Sequence, residues 1–274
     1  MKNNSSIAAA LLLAGLPLTL SSTANCQELI TNGGFETGDF SGWTVKNLAG
    51  SDPSGTFAIG NNILDTYLTP VSPSTPIAEL ASPGASSGNY YAVSDSFGPG
   101  AHVLLQSFTV PLFSGSHTAV TFDMFTNDWN GYGPLNQTGS IDANQLDGLG
   151  NLIPTQFARV DILAAGADAF SVAPADVVAS LYNGEDSGMP SNGYTHYTFD
   201  ISHNVTAGST YQLRFAEVDN QFTLNQGIDN VHVMMQTPEP GSAGLILGLC
   251  FAGTVMFGRK MRRKDTVLQT ASIA

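Results

Sequence analysis

Two carboxylates stand in company that suggests chemistry. Glu36 follows Asn32-Gly33-Gly34-Phe35 and precedes Gly42-Trp43, while Asp229 sits near the other end of the chain in Ile228-Asp229-Asn230-Val231. Gly33 and Gly34 permit a tight, left-handed bend. Phe35 and Trp43 are large enough to plug a core, and an ionised Glu36 has little reason to lie beside them unless it binds something. At the far end, Ile228 and Val231 can face inward while Asp229 and Asn230 present oxygens. If the first and last strands are neighbours, the two carboxylates meet. They then either hold a cation or serve the backbone alone, Glu36 capping a turn and Asp229 accepting backbone hydrogen bonds.

A second group offers recognition. Asn127-Asp128-Trp129-Asn130-Gly131-Tyr132-Gly133-Pro134 begins a segment rich in Asn, Asp, Gln and Gly that runs to about Pro154, and loops of this length are often functional. Trp129 and Tyr132 have apolar faces with polar handles, and Asn127, Asp128 and Asn130 supply hydrogen bonds suited to sugar hydroxyls. The competing role for Trp129 is to fold back on the core and pin the loop. Further along, Asp142, Asn144 and Asp147 approach a calcium loop. Leu146 occupies the third ligand position, however, and Asp147-Gly148 falls one residue late, so a solvated loop is expected.

Catalytic signatures are not recognised, neither a nucleophile elbow nor a zinc site. Phe40 interrupts the protease-like Gly38-Asp39-Phe40-Ser41-Gly42. His102, His117, His196, His203 and His232 show neither metal spacing nor a paired nucleophile. Acids are plentiful, but no local pattern marks the pair that a glycosidase needs. The expectation is a non-enzyme.

Charge narrows the partners. Six of the nine basic residues (Lys2, Arg259, Lys260, Arg262, Arg263 and Lys264) lie at the chain's ends, and of the 22 acids only Asp265 lies beyond Pro240. Asn25 to Pro240 therefore carries 21 acids against Lys46, Arg159 and Arg214, a net charge of −18. Such a body is repelled by phosphate backbones, which argues against nucleic acid. Its carboxylates must be solvated, protonated or bound to cations, of which calcium is the obvious one outside a cell. Cys26 and Cys250 are too oddly placed to staple a fold. Stability must come from the core that a single domain of roughly 210 residues can build.

Alternation shows what positions these residues. In Tyr211-Gln212-Leu213-Arg214-Phe215 the apolar side chains share one face and the polar ones the other, the pattern of a half-buried strand. Similar runs occur at Tyr90 to Val93, Val103 to Val110, Ala119 to Phe125, Phe157 to Leu163, Tyr194 to Ile201 and Val231 to Met235, separated by Gly- and Pro-rich turns. This predicts an all-β sandwich or barrel. Pro174 to Tyr182 is the one stretch with a helical alternative, and Ser51 to Ser87, with five prolines, reads as loop.

The ends read as addresses. Lys2, an apolar core from Ile7 to Leu20 and Ser22-Thr23-Ala24 make residues 1–24 an export signal, cut after Ala24. Pro238-Glu239-Pro240, the apolar run 243–258 and the basic cluster Arg259-Lys260-Met261-Arg262-Arg263-Lys264 can stop a strand, enter a bilayer and hold the end in the cytoplasm. The run is shorter than the ~20 residues of an ordinary span, and a plain membrane anchor is the alternative. This tail resembles a PEP-CTERM sorting signal of Gram-negative bacteria that make exopolysaccharide. The resemblance implies an exosortase partner, processing near Pro238 to Pro240, and a place at the surface or in the extracellular matrix. Residues 265–274 extend further than such signals usually do.

The body, residues 25–237, resembles the galactose-binding-like jelly rolls of carbohydrate-binding modules, through Asn32 to Glu36, Gly42-Trp43 and Ile228 to Val231. What this implies is a jelly-roll β-sandwich in which Glu36 and Asp229 help to hold a structural Ca2+, its shell completed by carbonyls near Asn32 or Lys46 and by water. It also implies association with extracellular polysaccharide in a biofilm or floc. A glycan-cleaving enzyme on the same scaffold and a self-assembling adhesion protein are the alternatives.

Overall fold

The computed structural model describes residues 26–61, 83–96, 98–112, 117–128, 134–137, 139–184, 193–221 and 224–236. The export signal, the sorting tail from Pro238 to residue 274, and Trp129, Asn130 and Tyr132 lie outside them. The described residues build an all-β body of two antiparallel sheets.

The strands are β1 (Cys26–Glu28), β2 (Thr44–Asn47), β3 (Ala58–Asn61), β4 (Tyr90–Ser96), β5 (Gly100–Thr109), β6 (His117–Asp128), β7 (Gln156–Ala164), β8 (Val177–Gly184), β9 (Thr195–Asp200), β10 (Thr210–Asp219) and β11 (Leu224–Gln236). One sheet has the order β3-β4-β11-β6-β9, with β1 also paired to β11; the other has the order β2-β5-β10-β7-β8. From β4 onward the chain changes sheet at every connection except the β7–β8 hairpin, so it wraps around its core as a jelly roll does. The first and last strands are neighbours, with Cys26 opposite Gln236 and Glu28 opposite Met234.

The predicted alternation is present, and it drives the packing. Leu104, Phe122, Val160, Leu213, Phe215, Ile228 and Val231 meet between the sheets in one buried cluster, with Phe122 edge-on to Phe215 at 5.3 Å between ring centres. The expectation of a half-buried β10 needs correction. Gln212 and Arg214, its polar face, are buried as well, because the segments on either side of β7 fold over the outside of the five-stranded sheet. A second apolar cluster, including Val103, Ile141, Phe157, Ala169 and Val218, fills that layer. Arg214 is tolerated there because Asp161 pairs with both Arg214 and Arg159.

Other local readings also change. Val177 and Val178 belong to a strand, since β-branched residues suit the open edge of β7 better than a helix; only the turn closed by Val177 N to Ala173 O precedes it. Ser51 to Ser87 is not all loop, because β3 pairs with β4. In the opening motif the left-handed backbone falls on Asn32 (φ 51°) and Phe35 (φ 56°), not on Gly33 or Gly34. Gly33 serves close approach instead: a Cβ there would stand 1.8 Å from the Val231 carbonyl oxygen.

Candidate functional site

Glu36 and Asp229 are brought to one place. Glu36 Oε1 accepts from the backbone amides of Asn89 (2.8 Å) and Tyr90 (3.0 Å), and Asp229 Oδ2 accepts from that of Ser87 (2.9 Å). The two carboxylates thus hold the Ser86 to Tyr90 bend from either end of the chain. Asp229 sits where β11 bulges between Asp229 and His232 and is fully buried. Burial pushes its pKa up to about 6; hydrogen bonds from Ser87, Asn230 and Ser86 act against that shift, and the charge of Asp123 adds to it. Asp123 itself lies below the usual carboxylate range: burial alone would raise it, but hydrogen bonds from Asn230, Ser86 and His196 outweigh that cost.

The residues fit a calcium ion in part. A buried, upward-shifted carboxylate without a basic partner is one that a cation relieves, and Glu36 would supply a second ligand. Both carboxylates also already accept backbone hydrogens, as the metal-free reading requires. Asn32 O is occupied by Phe35 N (3.2 Å) and Trp43 Nε1 (3.0 Å), and Lys46 lies in the other sheet opposite Val103. The Asn32 carbonyl thus already accepts two hydrogens within its own turn. Among the described residues no three His, Cys, Asp or Glu side chains converge as a metal cluster.

Contrary to the expectation of no such motif, Gly84-Ala85-Ser86-Ser87-Gly88 carries the Gly-x-Ser-x-Gly order. The structure gives it no elbow. Ser86 Oγ donates to Asp123 Oδ2 at 2.7 Å, and His196 Nδ1 lies 2.7 Å from Asp123 Oδ1. The carboxylate therefore stands between serine and histidine, where no imidazole can take the serine proton. Asp142 and Asp147 likewise act as turn formers: Asp142 accepts from Asn144 N, and Asp147 accepts from Leu149 N and Asn151 N.

Asn127 and Asp128 are not loop residues. They end β6, opposite Asn225 and Leu224, and both are buried. Asp128 belongs to a constellation that no local motif could reveal. Toward the end of the sandwich where β4 leads to β5 and β10 to β11, both inner faces turn from apolar to polar. In one sheet Ser94, Gln226 and Thr126 form a row. In the other, His102 stands opposite Glu217, and Asp219 stands opposite Gly100 and Gln156. All eight of these polar residues are buried.

Thr126 also lines a surface cleft of about 270 Å3 together with Met124, Phe125, Tyr182, Thr195 and Tyr197. Tyr182 and Tyr197 meet edge-on there at 5.4 Å between ring centres. Tyr197 also stacks on the buried Phe122 at 5.1 Å, so this wall of the cleft is anchored in the core.

No protein-family model matches the chain, and no curated protein matches it. Solved structures similar to it include TmCBM61 in complex with β-1,4-galactotriose, 13% identical with a TM-score of 0.42 and covering 76% of this chain and 97% of that one. The K3 cleaved adhesin domain of Lys-gingipain from Porphyromonas gingivalis is 15% identical, with a TM-score of 0.45 and coverage of 77% and 99%. The family 11 carbohydrate-binding module from Clostridium thermocellum, in complex with a β-1,3-1,4-mixed-linked tetrasaccharide, is 10% identical, with a TM-score of 0.35 and coverage of 78% and 96%.

Proposed function

We propose that this chain is an exported, non-enzymatic glycan-binding β-sandwich of the galactose-binding-like jelly-roll type. It is delivered by the signal at residues 1–24, sorted through its Pro238-Glu239-Pro240 tail by an exosortase, and held at the cell surface or in the extracellular polysaccharide matrix. The observation that carries the reading is the cleft at Tyr182 and Tyr197, whose aromatic rings stand beside Thr126 and the buried polar rows. Sugars need that combination, a ring face to stack on and convergent groups for their hydroxyls. Trp129, Asn130 and Tyr132, which come within four residues after Asp128 in sequence, are proposed as further sugar-binding residues.

Incubation of the purified protein with the exopolysaccharide of its own host tests the reading. Retention of the protein on the polymer without release of product is expected. Released oligosaccharide would instead mark a glycan-cleaving enzyme, and oligomers that form without glycan would mark an adhesion protein.

Calcium is proposed as a structural ion between Glu36 and Asp229. A chelator is expected to lower the melting temperature, and Glu36→Ala to abolish that sensitivity; an unchanged melting temperature in chelator would remove calcium from the account.

The pH dependence provides a further check. Because the folded pKa of Asp229 is raised from 3.8 to about 6, folding takes up a proton, so its stabilising contribution is complete below about pH 4 and is lost as pH rises through 6. In chelator the melting temperature should therefore fall across this window. Asp229→Asn should flatten that fall, and calcium should offset it by favouring the ionised form. A fall of the same size in Asp229→Asn would assign it to another group.

A further inference from the structure

Among the described strands with an open edge, β9 alone lacks a defence. A sheet edge offers unpaired N–H and C=O groups to another strand, and shortness, lysine, proline or a bulge normally blunts it. β1 and β3 have three and four residues, β2 has four with Lys46 among them, and β8 shifts register twice against β7. β9 has six residues, neither lysine nor proline, and runs in unbroken register along β6 from Met124 to Ala119. It ends its sheet, with no second strand beside it among the described residues.

The backbone groups on that edge can be assigned. Ile201 N donates to Thr118 O at 2.9 Å, so these two opposed residues form a hydrogen-bonded pair. Antiparallel ladders alternate, which turns the backbone of Thr195, Tyr197 and Phe199 toward β6 and that of His196, Thr198 and Asp200 toward the open side. The side chains of His196, Thr198 and Asp200 are exposed, while Tyr197 and Phe199 stack on Phe122 from the other face of the strand.

A second β9, antiparallel about a two-fold axis, can use all three outward residues in one register only, with the axis at Thr198. That register sets His196 against the second copy's Asp200, Thr198 against its own equivalent, and Tyr197 against the second copy's Phe199. An imidazole facing a carboxylate, a threonine pair and an aromatic pair are each favourable across strands. No like charges meet, because Asp200 is the only acid in the strand.

We propose that the open edge of β9 docks a second copy of this chain, joining two six-stranded sheets into one across an axis at Thr198. The contact occupies both edges, so assembly stops at the dimer, unlike the open growth of a self-assembling adhesion protein. Two bodies of net charge −18 repel one another, although beyond about 8 Å physiological salt screens that repulsion. Pairing through one short strand therefore belongs at the weak end of specific interfaces.

Sedimentation of the purified full chain at physiological ionic strength, over concentrations reaching about 1 mM, the weak end of the affinity scale, tests this. Hydrogen exchange is read at the lowest and highest concentrations. A monomer–dimer equilibrium is expected, in which the amides of His196, Thr198 and Asp200 gain protection while those of Tyr197 and Phe199, already held by β6, do not change. Thr198→Lys sets two cations face to face on the axis and should abolish the dimer. Thr198→Pro, which removes an outward N–H and no bond to β6, should do the same and serves if Thr198→Lys fails to fold. Retention on glycan is measured separately on the monomeric variant, so loss of the dimer and loss of the glycan reading are distinguishable. A chain that stays monomeric throughout overturns the proposal. So does a dimer that persists in both variants, as association through the C-terminal tail would, or protection that appears away from the alternate residues of β9. Oligomers that keep growing with concentration overturn the two-fold closure and favour the adhesion protein.

Discussion

Replacing Asp161 with alanine is expected to cost about 3–5 kcal/mol of folding stability, the range for breaking a buried ion pair from one side. Asp161 Oδ2 accepts from Arg159 Nε at 2.8 Å and also from Arg214, and Oδ1 accepts from Arg159 Nη2 at 2.7 Å. Arg214 is fully buried; burial lowers its pKa, and Asp161 is the main influence that restores it. Without the carboxylate, two guanidiniums face one another in a dry layer. Arg214→Met removes one of those charges and should cost less than Asp161→Ala, while Asp161→Ala combined with Arg159→Met and Arg214→Met should recover much of the loss. Urea denaturation midpoints at constant slope read these differences. A loss below about 1 kcal/mol for Asp161→Ala, the range of an exposed pair, would show that water reaches the triad.

The same triad links stability to shape. Arg214 Nη1 donates to Ala169 O (2.8 Å) and Ser171 O (2.7 Å), so the pair that neutralises the charge also fastens the β7–β8 connection over the five-stranded sheet. That layer closes the sheet's outer face. That face is then closed to a ligand, whereas the polar rows and the Tyr182 and Tyr197 cleft lie elsewhere on the sandwich.

How much of this was legible follows from the range of each signal. Strands such as Tyr211 to Phe215 announce themselves because burial on one face repeats every second residue, and the meeting of Glu36 with Asp229 was readable because each sits in a short motif of its own. The constellation of His102, Glu217, Asp219 and Gln226 has no such motif. Its members come from three strands in two sheets, and only the register, His102 against Glu217, makes them neighbours. A cue was nevertheless present in β10: after Leu213 and Phe215 the inward position is Glu217 and then Asp219, acids on the face that alternation assigns to the core. The alternation rule failed at Arg214 for the opposite reason, since its polar face was covered by segments distant in sequence. The role of Gly33 was misassigned because a glycine required for close approach looks, in sequence, identical to one required for its dihedral angle.

Trp43→Ala is expected to lose about 3–5 kcal/mol, as for other large aromatic truncations in a core, and to loosen a turn some distance from the mutation. The Trp43 ring lies 5.5 Å from that of Phe35 and 6.1 Å from that of Phe215, so it joins the opening loop to the centre of the sandwich. Its Nε1 donates to Asn32 O at 3.0 Å, holding the residue whose left-handed backbone begins the turn to Glu36. Trp43→Phe separates these contributions. It keeps an apolar ring and gives up the hydrogen bond, and because Asn32 O still accepts from Phe35 N, the loss for that bond should stay near 1 kcal/mol, with the smaller ring adding to it. Beyond stability, Trp43→Ala should reduce hydrogen-exchange protection at the Asn89 and Tyr90 amides, which donate to Glu36. If Trp43→Ala costs less than about 1 kcal/mol and both amides stay protected, the turn is held by Gly33 and Val231 alone, and the tryptophan merely fills space.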